Sequence, residues 1–347
     1  MKIDEKTVRD RDYLLDIQGN YLRVIGDLQE DNSIYSFVKY HPIENGKRVI
    51  NGKSYQYNNF IYKSLEYLNK YLDRVALSKH YGRTVTITPV SQVSEFFSCR
   101  EKTKYVITNK EKYSGHPIGK HLVKFIELAG DYINLDDLGI TGSFLIGAES
   151  VKSDIDLVCY GEEAYEGLYR LFKTNSFIQC YEDGLEDIIY KRRIEHLTPT
   201  AFKSIIIQES RKLQGVIRGT DIHINCQPLR ADDNIPSIEI LEIGEVACIV
   251  EITDDAQGHY SPAVYTVRYV KNTDCSFYSE DSLKDIEALV SLDGTYSQCY
   301  RNGDRISVYG KLIILKLNDK TMKAIELSSW NTAANYKAEF IMTEDEE

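Results

Sequence analysis

Apolar and polar positions divide the chain into three stretches with different periods. In residues 1–90 the segments DYLLDI, NYLRVIG and IYSFVKYHP are short and alternating or apolar, and Gly and Asn turns separate them. That pattern predicts a small β-rich unit, with YGRTVTITPV as a further strand. Within it, residues 58–75 (NNFIYKSLEYLNKYLDRV) place Ile61, Leu65, Leu68 and Leu72 at helical spacing. From 91 to 235 the period switches back and forth. SQVSEFFSCREKTKYV and IGKHLVKFIELAG predict helices, the second with Leu122, Phe125, Ile126 and Ala129 on one face. LGITGSFLIGAES predicts a short strand running into a turn, and DIDLVCYG a strand. EEAYEGLYRLFKTN predicts a helix, as does TPTAFKSIIIQESRKLQG with Pro199 near its first turn. RGTDIHINCQP predicts the next strand. Strands alternating with helices point to an α/β unit.

From 236 to 330 the pattern becomes all-β. EVACIVEIT, AVYTVRYVK, IEALVSL and DRISVYGKLIILKL are strand-like runs between Gly and Asp turns, which predicts a small barrel or sandwich. RNGDRISVYGKL sets a tight Asn-Gly turn before a strand. Residues 331–347, ending in TEDEE, read as an acidic disordered tail. The expected fold class is therefore α/β (α+β): a mixed sheet with helices, a small β-rich N-terminal region and an all-β C-terminal domain.

Composition narrows the class. With 347 residues, 42% hydrophobic and 27% charged, the chain has the make-up of an ordinary globular protein of two or three domains. Its 42 basic and 53 acidic residues give a net charge of −11. That argues against nucleic-acid or membrane binding driven by whole-molecule charge, and leaves room for a local basic groove. None of the seven cysteines has C-x-x-C spacing, so they read as reduced core residues rather than zinc ligands. The opening MKIDEKTVRDRDYLLD lacks the apolar core of a signal peptide, and no apolar run approaches the length of a membrane span. The expected compartment is the cytoplasm.

The chemistry gathers in residues 141–161, TGSFLIGAESVKSDIDLVCYG. Gly142 and Gly147 have P-loop spacing, but Ala148 and Glu149 stand where the loop needs Lys and Ser/Thr, which excludes a P-loop. Asp154 and Asp156 sit at i and i+2 of a strand and share one face, while Ile155 and Leu157 face the core. Two carboxylates so placed repel unless a cation lies between them. A hard divalent ion such as Mg²⁺ (or Mn²⁺), which takes one or two carboxylates plus substrate phosphates, removes that penalty. Gly142 would let backbone approach a phosphate, and Ser143 adds a hydroxyl and an N–H at a helix start, compatible with a helix cap. Lys152 could reach a triphosphate or simply be a solvated charge. The same two readings apply to Arg211, Lys212, Arg218 and YKRRIEH.

Gly-Ser followed after ten residues by Asp-Ile-Asp resembles the signature of the DNA polymerase beta-like nucleotidyltransferase superfamily. DRDYLLDIQGNYLRVIGDLQ, DDLGITGSFLIG, SDIDLVCYG, RKLQGVIRGTDIHI and VEITDDAQGHYSPAVYTVRYV resemble successive blocks of a group of predicted nucleotidyltransferases familiar in archaea, over roughly residues 8 to 315. The resemblance implies a nucleotidyltransferase-type catalytic domain over 91–235, between the N-terminal region and the β-rich C-terminal one. It implies Asp154 and Asp156 as metal-binding catalytic residues, Gly142 and Ser143 on the phosphates, and a third carboxylate on a later strand. Asp221 in RGTDIHIN is the candidate for that acid, with Glu239 and Glu242 behind it; His223 shares its face.

The expected activity is Mg-dependent transfer of a nucleoside monophosphate from a nucleoside triphosphate such as ATP to an acceptor hydroxyl, releasing pyrophosphate. Protein, RNA or a small molecule could be the acceptor, and a homo-oligomer fits equally. Two alternatives stay open: a catalytically inactive nucleotide-binding or regulatory protein, and a nucleic-acid-binding module built on the C-terminal β region.

Overall fold

The computed structural model describes residues 7–58, 67, 74–78, 80–82, 84–181, 202–274, 276–292, 294–327 and 337–341. The helix expected over 58–75 falls almost wholly outside these residues, as do Pro199, YKRRIEH and the acidic end of the tail. The chain divides into two units: residues 1–78, 83–180 and 213–235 form the first, and 79–82, 181–212 and 236–347 the second. The expected boundary near residue 90 does not separate units, because the N-terminal strands and the mixed sheet belong to the first together.

The first unit opens with an antiparallel sheet of eight strands: β1 (Tyr13–Asp16), β2 (Tyr21–Val24), β3 (Ser33–Pro42), β4 (Arg48–Ile50), β5 (Lys53–Tyr57), β6 (Val75–Leu77), β7 (Thr84–Pro89) and β8 (Val93–Phe97). Its main path runs β4-β5-β3-β2-β1-β8, and β7 joins β3 to β6. Helices α1 (Cys99–Thr108), α2 (Lys110–Ser114) and α3 (Gly119–Ala129) follow. The second sheet holds β9 (Leu138–Ile140), β10 (Ile155–Tyr160), β11 (Ile178–Cys180), β12 (Gln214–Ile217) and β13 (His223–Leu229) in the order β11-β12-β13-β10-β9. Only its β10–β13 pair is parallel. A five-residue helix, α4 (Gly142–Ile146), lies between β9 and β10, and α5 (Glu162–Thr174) follows β10.

Strand β10 is the hinge of this packing. Ile155, Leu157 and Cys159 join Leu122, Phe125 and Ile126 of α3 and Leu168, Leu171 and Phe172 of α5 in one apolar cluster. The alternate residues Val158 and Tyr160 pack with Tyr13, Tyr21, Tyr40 and Tyr55 of the N-terminal sheet and with Leu145 and Ile146 of α4. Period 2 thus sends one face of the strand to helices and the other to a second sheet. Asp156 belongs to the second face.

In the second unit, α6 (Phe202–Ser210) precedes β14 (Ile238–Gln257), β15 (Ala263–Asn272), β16 (Ile286–Ser291), β17 (Arg305–Leu317), β18 (Lys320–Glu326) and β19 (Lys337–Phe340). The order is β14-β15-β16-β18-β17-β19, and β14 also pairs with β17, closing a ring of five strands. Val246, Cys248, Val250, Ile252, Leu289, Val308 and Ile325 fill its interior. Among the described residues no helix is long and apolar enough to cross a membrane.

Three expectations are corrected. The α/β (α+β) nucleotidyltransferase-type fold does not describe the chain, which is mostly β. It has nineteen strands in three sheets against six α-helices among the described residues, and the second face of the mixed sheet is covered by a sheet instead of by helices. The helix expected from residue 91 begins only at Cys99; Val93–Phe97 instead forms an edge strand beside β1. Val93, Phe96 and Phe97 fit helical spacing, but Val93 and Phe96 pack on the Leu14, Leu22 and Val38 cluster, so tertiary pairing overrides the local period. The expected tail contains β19, whose Ala338 is buried against the ring.

Candidate functional site

Asp154 immediately precedes β10 and Asp156 is its second residue. Both are partly exposed, whereas Ile155 and Leu157 are fully buried. The two carboxylates line one pocket of about 260 Å³ with Gly142, Ser143 and Lys152. On the adjoining parallel strand, Asn225 stands in register with Asp156, and its side-chain amide donates to Asp156 Oδ1 at 2.6 Å.

The Gly-Ser turn hangs from the same strand. Thr141 N–H donates to the Asp156 carbonyl at 2.9 Å, and the Thr141 hydroxyl donates to the Arg11 carbonyl at 2.7 Å. Gly142 then adopts φ +65°, a region that L side chains rarely enter. A Cβ at this position would lie 3.0 Å from Asp156 Cβ and Cγ and would collide with Oδ2. The missing side chain therefore lets the turn rest directly on the carboxylate. Helix α4 has only five residues, too short for much of a macrodipole, so the field of the pocket arises elsewhere. Ser150 and Ser153 close the loop before β10: Ser153 Oγ accepts from Ser150 N–H at 2.9 Å, and Arg48 donates to Ser150 Oγ at 3.2 Å.

That field comes from the N-terminal sheet. Arg11, Arg23, Lys39 and Arg48 line the same pocket as the aspartates, together with Tyr13, Tyr40 and Tyr57. Tyr13 is opposite Arg23, and Arg23 opposite Phe37, in antiparallel register; Lys39 follows Phe37 on the same face. With Lys152 the pocket has five cations against two carboxylates, in a chain whose net charge is −11. Arg11 itself sits at φ +70°, uncommon for a residue with a side chain.

Burial holds the Lys39 ammonium down to about 7; Arg23 and Arg11 push the same way and Asp156 opposes them. Burial also lowers the Arg11 guanidinium and raises the Tyr57 phenol, the latter with help from Asp156. The Lys39 shift has a consequence for stability. From about 7 to about 10.5 the unfolded chain binds a proton there that the folded chain does not, so stability rises with pH across that window. Lys39→Met is expected to remove that rise and to stabilise the fold below pH 7, by an amount on the order of a few kcal/mol. Denaturant titrations of both proteins from about pH 6 to 10 check this; identical pH profiles would sink it.

The structure thus brings Gly142, Ser143, Lys152, Asp154 and Asp156 together. It does not bring Asp221, which is exposed in the turn between β12 and β13, ahead of the strand it was expected to begin. Glu239 and Glu242 belong to the second unit, where they pair with Lys316 and Lys311. Arg211 and Lys212, also in that unit, pair with Asp304 and Glu209, and the Arg218 side chain donates to the Ser176 carbonyl. Among the described residues no cluster of three or more His, Cys, Asp or Glu side chains is set to hold a metal. Arg11, Arg23, Lys39, Arg48 and Asn225 are absent from the sequence-based list. A signal existed for two of them: Lys39 is a charge inside the apolar run from Ile34 to Tyr40, and Asn225 lies between Ile224 and Cys226 in the apolar-polar-apolar setting that Asp221 lacks.

No family model matches the chain, and no solved structure matches it. An uncharacterized protein of Methanocaldococcus jannaschii is 26% identical over 330 residues, a stretch covering 88% of this chain and 90% of that protein.

Proposed function

We propose that the pocket binds a nucleoside triphosphate with Mg²⁺ or Mn²⁺ and serves transfer of its nucleotidyl group to an acceptor hydroxyl. The observation that carries this reading is the gathering, in one pocket, of Asp154 and Asp156 with five basic side chains in an acidic protein. The donor set fits such an ion. Asp156 Oδ1 is fixed by Asn225, and Oδ2 lies at the bare Cα of Gly142. Hard carboxylate oxygens suit a cation that keeps waters and phosphate oxygens in its shell. Asp154 and Asp156 would hold the ion. When bound, the ion would neutralise the triphosphate and polarise the reacting phosphoryl group. Ser143 would donate its hydroxyl to a phosphate oxygen, and Lys152 would add charge at the open rim. The acceptor oxygen would bond to the α-phosphorus as the bond to the bridging oxygen breaks, pyrophosphate leaving with that electron pair and the hydroxyl proton passing to water. The cytoplasm is the compartment that goes with this proposal; none of the six described cysteines is in a disulfide, in keeping with a reducing environment.

Asn225 favours a second reading, nucleotide binding without turnover, because a neutral amide stands beside Asp156 where a third carboxylate would complete a two-metal centre. Incubation with each labelled NTP and Mg²⁺, alone and with cell extract, separates the two. Label transferred in an Asp154- and Asp156-dependent way supports the transferase, label retained but never transferred supports the binding protein, and no retained label contradicts both. Under the transferase reading Asn225→Asp is expected to raise Mg²⁺ affinity or transfer rate about tenfold; a fall in both would contradict it. The nucleic-acid alternative gains little from the second unit. Its exposed cations Arg268 and Arg305 both pair with Glu251, and Lys323 pairs with Asp285.

A further inference from the structure

We infer that the N-terminal sheet carries a pyrophosphate-binding subsite, made by Lys39, Arg23 and Arg11, that holds its anion without the metal. The nucleotide reading enters only as the source of the occupant: the β- and γ-phosphates of the substrate, or the pyrophosphate product.

Lys39 is the centre of the argument. It is 9% exposed and lines the pocket, and its ammonium lies over aromatic rings. Its Nζ lies 4.5 Å from the Tyr57 ring centroid and 5.4 Å from that of Phe37. The Arg23 guanidinium shares the Phe37 ring at 4.7 Å, and the Arg48 guanidinium lies 6.0 Å from the Tyr57 ring. Two rings therefore stand between three cations, of which Lys39 is buried and Arg23 and Arg48 are half-buried. Cation–π contacts are weak compensation for like charges kept close in a low-dielectric setting. The Nε atoms of Arg11 and Arg23 are moreover buried without a hydrogen-bond partner. Arg11 donates to Gln227 Oε1 at 3.4 Å and feels the charge of Asp156, while its ion-pair contact with Asp10, at 3.7 Å, is beyond hydrogen-bond length.

Donors left unmade and charges left crowded are costly for folding unless a ligand uses them. The ligand that resolves both is a compact polyanion with several acceptor oxygens, which guanidinium groups grip in fork geometry and an ammonium meets as a point charge. Asp154 and Asp156 do not account for the wall, because two carboxylates cannot neutralise Arg11, Arg23, Arg48 and Lys152 even before Lys39 is counted. A single carboxylate ligand would still leave a positive excess. Pyrophosphate has both the charge and the oxygens to match, and a pocket of about 260 Å³ can enclose it.

The test is calorimetric titration of the full-length chain with inorganic pyrophosphate in EDTA. Binding is expected, weakened about tenfold or more by Lys39→Met and by Arg23→Met and undiminished in the Asp154→Asn/Asp156→Asn double variant. Circular dichroism certifies each variant as folded; if one fails to fold, the other carries the test. Absence of pyrophosphate binding by the folded wild type, or equal binding by both charge-removing variants, would overturn the subsite. Neither outcome touches the metal-dependent nucleotide site, whose failure reads out separately as loss of Mg²⁺-enhanced NTP binding.

Discussion

Asp156→Asn is expected to erase the Mg²⁺ enhancement of nucleotide binding while leaving the fold intact. The asparagine keeps the size of the side chain and an oxygen that can accept the 2.6 Å hydrogen bond from Asn225, so packing around β10 is preserved. What disappears is the charge beside Gly142. Outer-shell changes at metal sites already cost ten- to a hundredfold in affinity, and loss of a ligand charge is expected to exceed that, about a hundredfold or more. The readout is the ratio of NTP affinity in Mg²⁺ to that in EDTA, large for the wild type and near unity for the variant. The ratio matters more than either affinity, because the cation wall retains an attraction for the triphosphate that no longer depends on metal. An unchanged ratio would remove Asp156 from the site.

Gly142→Ala is expected to damage stability and site together. Its backbone sits at φ +65°, and its new Cβ would press into the Asp156 carboxylate. Left-handed strain of about 1–2 kcal/mol adds to overpacking of about 1–3 kcal/mol, for a loss of roughly 2–5 kcal/mol. Gly147→Ala is the matched control: the other end of α4 and φ +71°, but open space around the added methyl. It is expected to pay the backbone strain alone and to keep nucleotide affinity. Denaturant midpoints of the two variants measure the difference, and equal losses would mean that the turn does not rest on Asp156 as described.

The half of the site on β10 was legible because its information is local. Asp-Ile-Asp alternates charge and core within three residues, and the strand rule alone predicts a shared carboxylate face beside buried Ile155 and Leu157. The Gly-Ser turn is likewise announced by its own residues. Most of the cationic wall was not legible. Lys39 stands out as a charge within an apolar run, but Arg11 and Arg23 read as ordinary polar positions until β1, β2 and β3 are paired and laid on β10, a juxtaposition across more than a hundred residues that no local period encodes. The third acid failed for a related reason: Asp221 is close in sequence to the right place, but β13 begins at His223, and register with β10 selects Asn225. The alternating pattern suggested a mixed sheet with helices, and only the tertiary arrangement reveals that tyrosines of a second sheet cover one of its faces.

The most direct test of the central claim is electron paramagnetic resonance of Mn²⁺ added with a non-hydrolysable NTP to the wild type and to the Asp154→Asn/Asp156→Asn double variant. If the two aspartates and the nucleotide share one ion, the wild type gives a protein-bound Mn²⁺ signal carrying phosphate coupling, and the double variant gives only the signal of Mn²⁺–NTP free in solution. Identical spectra from the two proteins would contradict the account.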